Sequence, residues 1–468
     1  MSAVTDTHPA HEDLFTPDPL APLWSWEPDR GYQITVNRWQ KSAGFLRAAV
    51  AGAVSTTRQT EILNPAIIRS SALDEGVIDG IDTMTGEMVH HDPVTAYRAF
   101  RRRVDSPNVC IFGDVGTGKS SLLKTVYLLR QLLLTGRRAV VISKKMQGDD
   151  ADEYAPVAQL LNVKPVRLTL DGSGSRLNPL DPAVTGTKGP YAILVDALTL
   201  MSGKRPDKWA RQVLRRALAA VYKNAGDQVP VLNDLIAELY RHQAPGVAPQ
   251  LITDRIITAA WGLAAELEEL TEAYGGIFSG ATSPEVTLGK KLTVFDVSDL
   301  PEEGPVLSVV MSVINTWVLE QLKARRAAGH RDVLFLIVEE GWYLVRGPMG
   351  ARLRSNARLS RALGLVLVVA IHHPSDIPAD DPAIAFIQDA GTVYIYRQAR
   401  PADALAAVQL AGMHPDAVEY VQRLPKGEHY VKVGLEPERR VRHLRSEIEK
   451  RVADTDGGLD GHPMKEAA

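Results

Sequence analysis

The chain has 468 residues, enough for a large core and more than one structural unit, and its 45% hydrophobic and 23% charged content is ordinary for a soluble globular protein. A formal net charge of −3 excludes a global basic field for nucleic acid, although a locally basic pore is invisible in a net sum. Cys110 is the one cysteine, so there is no intrachain disulfide framework, and the longest apolar run, 363–371, is far shorter than the ~20 residues of a membrane-spanning helix. Met1–Leu14 is polar and acidic, without the apolar core of a signal peptide. These features predict a soluble cytoplasmic chain whose membrane association, if any, is peripheral.

Residues 1 to about 30 carry Pro9, Pro17, Pro19, Pro22 and Pro28 among acids and read as an extended, poorly ordered arm. Trp24 and Trp26 interrupt it, either packing on the globule or docking a partner. Phe45, Leu46, Val50 and Val54 share a face of a weak amphipathic helix over 38–54. Val77–Val89 reads as a hairpin with a Thr85-Gly86 turn. Short, continuous, β-branched runs predict buried strands at 109–112, 139–143, 292–297, 333–338, 364–371 and 392–396, as in a parallel sheet covered on both faces. Between 185 and 285 the character changes: 192–202, 209–224, 231–242 and 251–274 all read as helices, largely amphipathic, forming an all-α insertion. Arg439–Arg451 reads as a charged closing helix, and Asp454–Ala468 as a polar, disordered tail. The expected division is therefore 1–76 as arm and small extension, 77–184 and 286–452 as two parts of one α/β core, 185–285 as the insertion, and 453–468 as the tail.

Gly113-Asp114-Val115-Gly116-Thr117-Gly118-Lys119-Ser120 is the most informative stretch. It follows the apolar run Val109–Phe112 and precedes the amphipathic run Ser121–Leu129, the strand–loop–helix context of a phosphate-binding P-loop. Its glycines let backbone N–H groups curl around phosphates, and the new helix aims its positive dipole end at the anion. Lys119 supplies a point charge for the β/γ oxygens, Ser120 a hydroxyl for Mg²⁺, and Ser121 completes the nucleotide-binding set. A purely structural glycine turn is the competing reading, and it does not account for the lysine, the serine and the flanking elements together.

A P-loop needs an acidic partner at the end of a neighbouring strand, and Val333–Val338 ends in Glu339-Glu340. Unpaired carboxylates are costly to bury, so this pair reads as functional rather than as core, the alternative being a charged strand end that begins a helix. Glu339 is assigned to the metal shell, through water, and Glu340 to polarising the attacking water. The next strand ends in His372-His373-Pro374-Ser375-Asp376. His372 is assigned to sensing the γ-phosphate; the paired histidines also raise a metal site, which no Cys or Glu at ligand spacing supports. Arg352, Arg354, Arg358 and Arg361 precede that strand and read equally as a solvated basic helix face or as a source of an arginine finger. Arg361 is the first candidate for the finger, Arg358 the second and Arg397 the third.

The order of these residues resembles the type IV secretion traffic ATPases of conjugation systems (VirB-type, TraC/TraE-type), within the HerA/FtsK superfamily of P-loop motors. The likeness runs through Gly80–Glu87, Glu153-Tyr154-Ala155-Pro156, Leu177–Asp181, Tyr274–Gly280, Glu339–Trp342, Pro374-Ser375-Asp376 and Leu424–Glu428, about 77 to 450 in all. The resemblance implies a RecA-like α/β P-loop NTPase core with a central, mostly parallel sheet and an all-α insertion. It implies Mg²⁺-dependent ATP hydrolysis, a homo-oligomeric ring that is hexameric, and docking at the cytoplasmic side of a membrane-embedded secretion channel. It also adds Glu153 as a further catalytic candidate. This chain departs from the family where Glu339 replaces aspartate, His372 replaces glutamine and Ser143 stands in place of an aspartate. The family's large N-terminal domain has no counterpart in 1–76, and a separate polypeptide is expected to supply it. Two other readings stay open: a DNA translocase or coupling ATPase with DNA as partner, for which Lys144-Lys145 and Lys204-Arg205 are candidate pore residues, and a weakly active nucleotide-binding scaffold.

Overall fold

The computed structural model describes residues 75–99, 102–144, 146–147, 151–186, 189–242, 250–289, 291–301, 304–339, 362–378 and 381–453. The N-terminal arm with Trp24 and Trp26, the helix expected over 38–54 and the tail from Asp454 lie outside the described residues. Thirteen strands are described: β1 Val77–Asp82, β2 Met88–His91, β3 Val109–Phe112, β4 Arg137–Ser143, β5 Met146–Gln147, β6 Ala151–Asp152, β7 Val166–Arg167, β8 Leu292–Asp296, β9 Val333–Val338, β10 Leu365–Ile371, β11 Thr392–Ile395, β12 Glu428–Val433 and β13 Arg439–His443. Eleven of them form one sheet in the order β2-β1-β13-β12-β11-β3-β10-β9-β4-β8-β7, and β5 pairs with β6 separately. From β11 to β7 every pairing is parallel; from β2 to β11 every pairing is antiparallel.

The parallel strands are apolar throughout because both faces are covered. Cys110, Phe112, Val140, Leu336, Leu367 and Val369 pack on the side of the helical insertion. Their alternating neighbours Val109, Ile111, Val141, Phe335, Ile337 and Val368 pack on the other side, with Leu122, Val126 and Tyr127 of the helix that follows the phosphate loop. The period of two thus splits each strand between two cores. The result is the RecA-like P-loop NTPase fold expected from the sequence.

The insertion comprises helices Gly189–Ser202, Lys208–Ala225, Leu232–Arg241 and Gln250–Phe278, all between β7 and β8. Asp207 caps the second, accepting from the N–H groups of Trp209 and Ala210 at 2.9 and 2.8 Å. The fourth is kinked at Tyr274, whose φ of −134° breaks the helical run.

The C-terminal end corrects one expectation. Arg439–His443 is strand β13, and the closing helix, expected over Arg439–Arg451, begins only at Glu447 and runs to Ala453. The charges there serve strand pairing. Val441 is buried at the pleat, while Arg440 and Arg442 both reach Glu428 on β12, at 2.8 and 3.3 Å. Gly80 explains how β1 docks on this strand: a Cβ there would lie 2.0 Å from the Arg442 carbonyl oxygen, so only glycine permits the approach.

Candidate active site

The register places the ends of β3, β10, β9 and β11 side by side, with Phe112 opposite both Ile371 and Ile395, and Val338 opposite Val369. Residues just past these ends converge at the carboxyl edge of the parallel sheet, where open α/β folds bind ligands. Gly113 N–H donates to Ile371 O at 3.3 Å and Asp114 N–H to Arg397 O at 2.9 Å, tying the phosphate loop to both flanking strands. The Asp114 carboxylate then accepts from Ala399 N–H at 2.7 Å, and Thr117 Oγ1 donates back to Asp114 O at 2.8 Å. The loop is a fixed cradle.

Gly118 turns the chain into the helix at φ +116°, a region side-chain-bearing residues rarely occupy. A Cβ on Gly113 would lie 2.6 Å from Tyr396 Cβ, and one on Gly118 would lie 3.2 Å from the Tyr396 ring. Tyr396, just past β11, therefore forms one wall of the loop. Gly427 forms another, its N–H donating to Thr117 O at 3.0 Å. The helix that follows begins at Lys119, is π-helical over Leu123–Leu129 and returns to α over Arg130–Leu133. Such wide turns inside α-helices are frequent at functional sites.

Lys119 is buried, and its ammonium donates to the carbonyls of Gly113 at 2.5 Å and Asp114 at 2.7 Å. It also lies 3.1 Å from His372 Nδ1. An ammonium only donates, so that ring nitrogen accepts, which requires a neutral imidazole protonated on Nε2. The structure thus brings His372 onto the phosphate-loop lysine. His373 is turned elsewhere: with Ser375 it grips Asp403, at 3.0 Å from His373 Nδ1 and 2.6 Å from Ser375 Oγ. Burial pushes the Asp403 carboxyl up, but the Ser375 and His373 hydrogen bonds outweigh it and hold the pKa below the usual range. Among the described residues no cluster of three His, Cys, Asp or Glu side chains is placed to hold a metal.

Glu339, at the end of β9, is buried and accepts from the Tyr154 hydroxyl at 3.0 Å. Glu153, next to that tyrosine, pairs with Lys124 inside the π-helical turn at 3.2 Å, both side chains almost fully buried. The Lys124 ammonium also sits 5.2 Å from the Tyr154 ring centroid, within cation–π range. One buried chain of contacts therefore joins the phosphate-loop helix to the strand-end glutamate. Ser143 donates to the Asp152 carboxylate, whose pKa burial pushes up to about 6.

The residue types fit a Mg²⁺–nucleotide. A cradle open where Gly116 faces nothing within 4 Å, a buried ammonium, the Ser120 hydroxyl and the Glu339 carboxylate are a donor set suited to phosphates and one hard, water-bearing cation. Bound there, the nucleotide would supply the scissile phosphoanhydride, and Mg²⁺ would offset its charge.

Of the other sequence candidates, Glu340, Arg352, Arg354, Arg358 and Arg361 lie outside the described residues. The Arg397 carbonyl accepts from the Asp114 N–H of the phosphate loop, and the residue is exposed. Lys144 donates to Ser298 O at 3.0 Å, Lys145 is outside the described residues, and Lys204 and Arg205 are exposed. Sequence reasoning gave no site role to Lys124, Tyr396 or Gln398, whose Nε2 donates to His372 O at 3.0 Å. A lysine interrupting the apolar run Ser121–Leu129, five residues past Lys119, was the available signal for the first. The other two show themselves only once β11 is placed beside β3.

Comparison with known proteins bears on the family and the fold. The family model described as "AAA-like domain" matches residues 101–428, more than half of the chain. VirB4 of Thermoanaerobacter pseudethanolicus is similar in structure at TM-score 0.64 and 20% identity, over 80% of this chain and 98% of that one. The bacterial conjugative coupling protein TrwB in an unbound form aligns at TM-score 0.48 and 15% identity, covering 81% and 91% of the two chains. TrwB in complex with ADP and Mg²⁺ aligns at TM-score 0.47 and 16% identity, covering 73% and 86%. No curated protein matches by sequence. The chain therefore belongs to the AAA-like domain family and carries its P-loop NTPase fold.

Proposed function

We propose that this chain is an ATP-hydrolysing, Mg²⁺-dependent motor of a conjugative or type IV-like secretion system, working as an oligomeric ring at the cytoplasmic face of a membrane channel. The observation that carries the reading is the contact of the phosphate-loop Lys119 with His372, past β10, beside the neighbouring strand β9 that ends at Glu339, within a fold shared with VirB4 over 98% of that protein's chain. Lys119 and the loop N–H groups hold the β/γ-phosphates, and Ser120 with Glu339 holds Mg²⁺, Glu339 through water. Glu340 polarises the attacking water, His372 reports the γ-phosphate to Lys119, and an arginine from 358 or 361 completes the site from the neighbouring subunit. Tyr154 positions Glu339, and the Glu153–Lys124 pair carries that position to the helix.

One observation favours a second reading, a nucleotide-binding scaffold that turns over weakly. Lys119 already donates to the carbonyls of Gly113 and Asp114 and to His372 Nδ1, and must exchange these partners for phosphate oxygens. The test is ATPase activity as a function of oligomer, read by phosphate release alongside mass in solution, with and without DNA. The motor reading expects activity that rises as rings assemble with Mg²⁺–ATP. Ring assembly with turnover no higher than that of Lys119→Ala would leave the scaffold; steep stimulation by DNA, lost at high salt, would favour a DNA pump.

A further inference from the structure

Arg445 lies between β13 and the helix Glu447–Ala453, in a segment anchored on both sides of that residue. Leu444 N–H donates to Asp79 O at 3.2 Å, and Arg130, on the phosphate-loop helix itself, donates to Leu444 O at 2.6 Å. Ser446 N–H donates to the Glu449 carboxylate at 2.8 Å, and Glu449 is in turn held by Arg130 through two bonds of 2.7 and 2.8 Å. Two residues earlier, His443 meets Thr125 of the same helix at 2.8 Å. The chain then runs toward the helix N-terminus, where Arg445 Nη1 arrives 3.5 Å from Ser121 Oγ. The Arg445 side chain is exposed, and among the described residues no carboxylate stands within ion-pair distance of it. Its backbone is fixed to the helix, yet its charge is left to a ligand.

We propose that Arg445 binds the α-phosphate of the nucleotide in the phosphate loop of its own chain. The proposal rests on reading 113–121 as the nucleotide site. Lys119 serves the β/γ oxygens and Ser120 the metal, so Ser121, one residue farther on, faces the part of the phosphate chain nearest the ribose. A planar guanidinium beside it offers two parallel N–H donors to two phosphate oxygens, which a solvated arginine on a random surface does not. Arg445 is a binding residue from the C-terminal wing, more than 300 positions from the loop it completes.

The test is equilibrium binding of ATP, ADP and the two diastereomers of ATPαS to the full chain in four forms: wild type, Arg445→Gln, Arg445→Lys and Lys119→Ala. Thermal melting checks that each form is folded. Loss of one charge-assisted phosphate contact predicts that Arg445→Gln weakens ATP and ADP by the same factor, about 10- to 100-fold. Arg445→Lys should recover part of the loss, and the preference between diastereomers shown by wild type should vanish in Arg445→Gln. Wild-type affinity in Arg445→Gln beside weakened Lys119→Ala overturns the Arg445 assignment and leaves the site reading intact. Wild-type affinity in both overturns the site reading itself. Weakened binding that keeps the wild-type diastereomer preference makes Arg445 a structural residue and overturns the assignment.

Discussion

The two flanks of the phosphate loop are built on different physics. On one side, the parallel strand β9 delivers Glu339 to Tyr154, and Glu153 with Lys124 forms a buried ion pair against the loop helix. On the other side, the antiparallel wing presses Tyr396 and Gly427 on the loop glycines and carries His443 and Arg445 along the same helix. Buried ionisable groups also support this second flank: against the upward push of burial, His429 and His443 hold the Asp79 carboxyl below the usual carboxylate range. In the proposed reading the first flank, ending in Glu339, serves the chemistry, and the second, ending in the Tyr396 wall and Arg445, serves binding. A site of this kind separates holding the nucleotide from breaking it, and the two tasks should fail separately.

The largest expected effect tests that separation at its centre. Lys119→Ala removes the ammonium that faces both tasks and should lower ATP affinity and turnover together, each by about 100-fold or more, in binding and phosphate-release assays. Next comes the buried pair. Lys124→Met or Glu153→Gln alone leaves an uncompensated buried charge and should cost about 3–5 kcal/mol of stability by denaturant melting, whereas the double substitution should recover most of it. Recovery without restored turnover would show that the pair transmits position to Glu339 rather than only filling the core.

Tyr154→Phe is subtler. It deletes one hydrogen bond to a carboxylate, worth about 1.5–3 kcal/mol, so kcat should fall roughly 10-fold or more while the KM for ATP holds. A matching rise in KM would mean that the two flanks are not separable. The smallest effect concerns Asp152. Its folded pKa of about 6 lies above the ordinary carboxylate value, so the folded state holds the proton more tightly than the unfolded chain. Stability should therefore fall as pH rises from about 4 to 6, and Asp152→Asn should flatten that dependence in thermal melts.

The sequence disclosed one flank better than the other, for physical reasons. The phosphate loop is contiguous because backbone amides must curl around one anion, so its pattern is local. Strands β3, β4, β8, β9, β10 and β11 were readable because burial on both faces demands unbroken apolar runs. The wing lacks that signal. Arg439–His443 reads as a charged helix because Arg440 and Arg442 serve Glu428 on a partner strand, which periodicity does not reveal. His443 and Arg445 meet the loop helix across 318 and 324 residues of chain, and nothing local marks either residue. The π-helical turn around Lys124 was equally hidden, since its residues would form an ordinary α-helix by propensity.

The most direct test of the two-flank account is ATP affinity and single-turnover phosphate release measured on the same preparations of wild type, Glu339→Gln and Arg445→Gln. The account predicts that Glu339→Gln binds ATP within a few-fold of wild type while releasing phosphate at least 10-fold more slowly, and that Arg445→Gln binds weakly but releases phosphate at a near-normal rate once saturated. Equal loss of affinity and release rate in both variants would contradict it.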